Sequence, residues 1–106
     1  MPKSEDIIQK IVALSSNKHP DAEVYLYGSQ ARGDANPLSD WDLLILLNRK
    51  SIPFTTETII MDDFYELELQ TGQIISPMIY SKEEWENKYQ QTPFFESIQK
   101  ESIKLK

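Results

Sequence analysis

Apolar residues fall at helical spacing in the first segment of the chain, where Ile7, Ile8, Ile11, Val12 and Leu14 share one face. Ser4 stands ahead of them as a candidate cap, with Glu5 and Asp6 near the positive end of the helix dipole. The spacing predicts a helix over residues 5–16. After the turn-rich Asn17-Lys18-His19-Pro20-Asp21, the β-forming run from Glu23 to Tyr27 predicts a first strand that ends at Gly28. Residues 29–39 carry the turn pairs Gly33-Asp34 and Asn36-Pro37, with room for one helical turn over 29–32. Strand two covers residues 41–47. Its almost unbroken apolar run implies burial on both faces, as in a central strand.

Further along, Ile60, Phe64 and Leu67 at i, i+4 and i+7, with Gly72 as a stop, predict a helix over residues 56–70. A third strand spans residues 73–80, and Pro77 inside it lacks a ladder donor, which points to an edge position or a bulge. Ser81-Lys82-Glu83-Glu84 fits a capping box and opens a helix with Trp85 and Tyr89 on one face. Thr92-Pro93 opens a last helix, with Phe95, Ile98 and Ile103 turned inward. The stripe of Trp85, Tyr89 and Phe95 reads as core rather than as a ligand platform. Adjacent Phe94 and Phe95 cannot both face one core, which leaves one of them for an interface. The order αβ(turn)βαβαα describes an α/β (α+β) chain, a small mixed β-sheet flanked by helices.

Composition narrows the picture. A chain of 106 residues with 40% apolar content holds one core, so residues 1–106 are expected to form a single domain. Eleven basic and 17 acidic side chains give a net charge of −6, which argues against bulk DNA or RNA as a partner and leaves a single nucleotide open. With no cysteine there is neither a disulfide framework nor a thiolate metal site. The single histidine, His19, lies in a polar loop without zinc-binding company and reads as a loop residue. No signal-like or membrane-spanning apolar run is present, and the cytoplasm is the expected compartment.

The chemistry concentrates in residues 28–47, GSQARGDANPLSDWDLLILL. Residues i and i+2 of a strand point to one side, so Asp40 and Asp42 present two carboxylates to one face while Trp41 points to the other. Two such groups repel unless a cation lies between them, and their hard oxygens suit Mg²⁺ completed by water and phosphate oxygens. Upstream, Gly28 has no side chain to block a phosphate, and Ser29 offers a hydroxyl and a backbone N–H at a helical turn. Arg32 adds a fork of donors, although an arginine beside Asp34 or Asp40 can equally pair with them. Singly, each of these residues is an ordinary turn former; their combination at this spacing carries the argument.

Gly28-Ser29-Gln30-Ala31-Arg32-Gly33-Asp34, followed by Ser39-Asp40-Trp41-Asp42-Leu43-Leu44, resembles the signature of the minimal nucleotidyltransferases of the DNA polymerase β superfamily. The order of elements over most of the chain agrees with the small form of that fold. The resemblance implies transfer of a nucleoside monophosphate from an NTP, ATP first among them, to a protein or small-molecule hydroxyl. It implies that Asp40 and Asp42 are catalytic and hold Mg²⁺, that Gly28 and Ser29 hold the triphosphate tail, and that Arg32 neutralises charge nearby. Small members of that group often act beside a helical partner of the HEPN type, in what resembles a toxin–antitoxin pair. One departure stands out: members usually add a third carboxylate from a later strand. Residues 73–80, QIISPMIY, contain no acid, and Ser76 takes the expected place. A second metal ion would then be poorly held unless Glu66 or Glu68 substitutes. The alternative is a weak or inactive nucleotide-binding module that works by docking a partner.

Overall fold

The computed structural model describes residues 4–36 and 38–106, the side chain of Ser4 excepted, so the Ser4 cap and the Pro37 half of a turn lie outside the described residues. The chain forms α1 (Ser4–Lys18), β1 (Ala22–Tyr27), the helical turn α2 (Ser29–Arg32), β2 (Trp41–Leu47) and α3 (Phe54–Thr71). It continues through β3 (Ile75–Ser81), α4 (Lys82–Lys88), α5 (Pro93–Glu101) and β4 (Ile103–Lys104). The sheet runs β3-β2-β1-β4, with β2 parallel to β3 and both other pairs antiparallel. The mixed sheet flanked by helices is the expected architecture, with one strand more than the pattern predicted.

That extra strand corrects the reading of Ile103. The last helix ends at Glu101, Ser102 is extended, and Ile103 pairs with Leu26 at the sheet edge, where it is exposed. Its neighbour Leu105 packs against the core instead. Two residues of alternation are too short to register as a strand in sequence; β1 supplies the missing context.

Period-two alternation in β2 builds two cores. Trp41, Leu43, Ile45 and Leu47 pack with Ile7 and Ile11 of α1 and with Ile60, Phe64 and Leu67 of α3. On the opposite face, Leu44 and Leu46 pack with Trp85 of α4 and Ile98 of α5. The strand is therefore central and covered on both sides, as its apolar run implies. Each of these side chains contributes roughly 1.5–3 kcal/mol on burial. Asp42 belongs to the second face, at the end of β2 beyond Leu44. Among the described residues no helix is long and apolar enough to cross a membrane.

Helix ends follow the local chemistry. Gly72, at φ 71°, closes α3 with its N–H on the Glu68 carbonyl at 2.8 Å. The Ser81 hydroxyl accepts from the Glu84 N–H and donates to the carbonyls at Arg49 and Lys50. Thr92 accepts from the Phe95 N–H at 3.1 Å, with Pro93 in the first turn. That cap sets the angle at which α5 meets Trp85, and it corrects the expectation for the phenylalanine pair. Both rings pack on the indole, Phe94 edge-on at 5.5 Å and Phe95 tilted at 5.1 Å, because adjacent positions on the first helical turn straddle so wide a side chain. Thr92→Ala is expected to cost about 1 kcal/mol and to lower the melting midpoint by roughly 4–8 °C in a calorimetric scan.

His19 proves structural. Its Nε2 lies 2.8 Å from Asp63 Oδ2, tying the end of α1 to α3.

Candidate functional site

Gly28 ends β1 and precedes α2 at φ 77°, in the left-handed region where glycine is favoured. A β-carbon there would collide with the Asp42 carboxylate. Its carbonyl accepts the N–H groups of Ala31 and Arg32, which winds the chain into α2. The N–H groups of Ser29 and Gln30, at the start of this turn, have no acceptor within it. The returning loop is fastened by the Gln30 amide on the Ser39 carbonyl at 3.3 Å and by the Asn36 N–H on the Ser39 hydroxyl at 3.0 Å. The start of β2 is pinned to β3 by the Trp41 N–H on the Ile74 carbonyl at 2.8 Å and by the indole N–H on Gln73. Asp40 and Asp42 are thus held at the end of a rigid sheet beside the turn.

Strand register lines up Tyr27, Asp42 and Ser76 across β1, β2 and β3 on one face. The Ser76 hydroxyl donates to Asp40 Oδ2 at 3.3 Å, so it sits against both aspartates. This is the place at which a third carboxylate was expected. Neither possible substitute occupies it: Glu68 accepts the Ile75 N–H at 2.9 Å, and Glu66 lines the groove between α1 and α3. Among the described residues no group of three or more acidic, histidine or cysteine side chains could hold a metal ion. Two carboxylates and a hydroxyl remain, an all-oxygen set that fits one hard cation completed by water and phosphate oxygens.

The Asp40 charge acts on Asp42. Burial first, and the Asp40 charge second, push the Asp42 carboxyl above its ordinary value, while Arg32 pulls the other way. Tyr27, opposite Asp42, is pushed up to about 12 by burial, then by Asp42 and Tyr80, so its phenol stays neutral. Its ring meets Phe94 edge-on at 5.3 Å.

Arg32 is engaged within the protein. Its Nε donates to Asp34 at 3.3 Å and its Nη1 to Glu101 at 3.3 Å, contacts that hold the guanidinium more firmly protonated. The structure therefore brings Gly28, Asp40 and Asp42 together, sets Ser29 on the adjoining turn, and ties Arg32 to the end of α5. Tyr27, Ser76 as a partner of Asp40, and Glu101 complete the surroundings. Tyr27 was signalled only by its place just before Gly28; Glu101, 69 residues from Arg32, carried no signal. A cavity of about 370 Å³ lies elsewhere, beneath α4 and α5, walled by Glu23, Tyr25, Lys82 and Trp85 and by none of the five signature residues.

Comparisons with known proteins identify the family and the fold. The family model for the nucleotidyltransferase domain matches residues 7–104. Among solved structures, a toxin–antitoxin crystal structure with AMP-PNP is similar at TM-score 0.69 and 16% identity, covering 93% of this chain and 72% of its own. A mutant of the toxin–antitoxin pair MntA-HpeT is similar at TM-score 0.68 and 14% identity, with the same coverage. At these identities the likeness is one of fold. No curated protein matches the chain.

Proposed function

The chain belongs to the nucleotidyltransferase-domain family, and on that footing we propose that it moves a nucleoside monophosphate from an NTP, ATP foremost, to a hydroxyl of a partner protein or small molecule. The observation that carries this reading is the fit of Gly28 to Asp42: a left-handed glycine leaves the space in which that carboxylate stands, beside the turn and two residues from Asp40. Asp40 and Asp42 would hold Mg²⁺, which when bound would offset the charge that develops on the transferred phosphoryl group. The Ser29 hydroxyl and the N–H groups at the start of the α2 turn would receive the triphosphate tail. Arg32, oriented by Asp34 and Glu101, adds positive charge beside them. The acceptor hydroxyl oxygen attacks the α-phosphorus, its proton passes to water, and the bond from the α-phosphorus to the bridging oxygen breaks so that pyrophosphate leaves. Positioning and charge compensation are the chain's contribution. Two structures similar in fold are toxin–antitoxin ones, one of them with AMP-PNP, and the partner proposed here is a helical protein of the HEPN type.

A second reading is favoured by Ser76. A hydroxyl where a third acid would stand neither strengthens a second metal site nor takes the acceptor's proton at neutral pH. On that reading the chain binds a nucleotide and docks a partner with little or no transfer. Incubation with α-phosphate-labelled NTP, Mg²⁺ and the co-expressed partner separates the two. Label on the partner supports transfer, and none, with nucleotide binding intact, supports the docking module. Ser76→Asp is expected to raise transfer, by roughly the 10²-fold that a positioned base contributes; a variant that binds nucleotide yet transfers no faster would exclude the absent acid as the limiting feature.

A further inference from the structure

Helix α3 carries a second apolar face that the fold does not use. Its buried residues Ile60, Phe64 and Leu67 face the sheet. Phe54, Met61, Tyr65 and Leu69 are exposed by 80, 42, 57 and 66%. At about 100° per residue these four fall within an arc of about 80° and run for roughly 22 Å along the helix. Two contacts fix how the helix is rotated. Asp63 turns toward α1 to meet His19, and Glu68 turns toward β3 to accept the Ile75 N–H. The stripe therefore points outward, just past the open edge of β3. Leu69 lies within a turn of Gly72, at the end of α3 that leads into β3, whose first residues flank Trp41 and Asp42.

The charged residues of α3 that border this stripe are all acidic, although Lys10 and Lys18 of α1 line the same groove as Glu66. Helical geometry places Glu57 and Glu68 along one side and Asp62 and Glu66 along the other, and α3 contains no basic residue. This pattern selects among occupants. A second copy of the chain would set acid against acid, in a protein already at −6. An anionic membrane would be repelled in the same way. Strand addition at the start of β3 is hindered, because Glu68 occupies the Ile75 N–H and Pro77 has none to offer at the same edge.

We infer that this stripe is a docking face for an amphipathic helix of a partner protein, whose apolar ridge packs along Phe54, Met61, Tyr65 and Leu69 and whose flanking Lys and Arg residues meet the α3 carboxylates. The surface involved is on the order of a few hundred Å², the size that marks interaction sites. The inference rests on the partner-directed reading above and adds where the partner sits: beside the aspartate pair, so that a docked acceptor is delivered to the site. Electrostatic complementarity of this kind sets specificity and association rate.

Two designed helical peptides test it, each with the same leucine face, one bordered by lysines and the other by glutamates. Binding is followed by the amide chemical shifts of α3 in the full chain. The lysine peptide is expected to bind at least about tenfold more tightly at low salt, which is 1.4 kcal/mol, and to weaken as salt is added. Tyr65→Lys/Leu69→Lys should abolish its binding while leaving cooperative melting and the response to Mg²⁺ and NTP unchanged. Asp62→Lys/Glu66→Lys should reverse the preference between peptides. Equal binding of both peptides, binding that survives the double lysine variant, self-association removed by that variant, or no binding below about 1 mM would each overturn the inference. Asp42→Asn should keep the peptide and lose the nucleotide. A wild-type protein that binds the peptide but no nucleotide would sink the transferase reading and leave the docking face standing.

Discussion

Asp42→Asn is expected to lower transfer from labelled NTP by at least about a hundredfold, the scale on which a single charge-stabilising group acts, and at the same time to raise the melting midpoint of the nucleotide-free protein at neutral pH. Both follow from one side chain. Burial and the Asp40 charge push the Asp42 carboxyl above its ordinary 3.8, so folding favours its protonated form and ionisation works against the fold. That opposition is fully present above the raised folded value. It fades as pH falls through that value, and below 3.8 Asp42 and its asparagine variant should melt alike. The measurement is the midpoint of both proteins between acid and neutral pH, with and without Mg²⁺ and NTP. Ligand should invert their order, because a nucleotide at ten times its Kd stabilises only the wild type, by about 1.4 kcal/mol, or roughly 5–10 °C. An asparagine variant that melts lower at neutral pH without ligand would contradict the electrostatic account.

The second large effect lies at Gly28, and Gly33 provides its control. Both have positive φ, 77° and 82°, but a β-carbon on Gly33 meets nothing within 4 Å, whereas one on Gly28 collides with the Asp42 carboxylate. Gly33→Ala should therefore show backbone strain alone, about 1–2 kcal/mol, and keep its response to nucleotide. Gly28→Ala adds displacement of Asp42 to a strain of about 1–3 kcal/mol. It should lose the nucleotide-dependent midpoint shift entirely and melt lower than Gly33→Ala. Equal behaviour of the two variants would show that the space above Gly28 is not what places the carboxylate.

These two sites also mark how far the sequence could be read. The alternation of Asp40-Trp41-Asp42 is a local property, and so is the turn at Gly28, which is why residues 28–47 declared their geometry. Gly28 was legible as a turn position without a side chain; that the Asp42 carboxylate stands in the space left there depends on the β1–β2 register and was not. Pro77 on an edge strand, Gly72 at a helix end and the caps at Ser81 and Thr92 were legible for the same local reason. Helix α3 ran from Phe54, two residues ahead of its expected start, because the apolar period of its core face begins only at Ile60. What escaped was non-local. Glu101 reaches Arg32 across most of the chain, β4 exists only because β1 has a free edge, and the width of Trp85 lets both Phe94 and Phe95 be partly buried against it.

The strand order β3-β2-β1-β4 has a kinetic consequence. During synthesis β1 emerges early and can pair with β2 soon afterwards, but its other edge waits for residues 103–104, and Arg32 waits equally long for Glu101. Contacts of such long sequence separation form late, because the loop they close must be ordered before they give any return. A nascent or truncated chain lacking residues 101–106 would hold the aspartate pair on a sheet whose β1 edge is bare as well as its β3 edge, with Arg32 held by Asp34 alone. Such a chain would be a candidate for edge-to-edge association, and the contacts of Arg32 at the end of α2 would be completed only at the last step of folding.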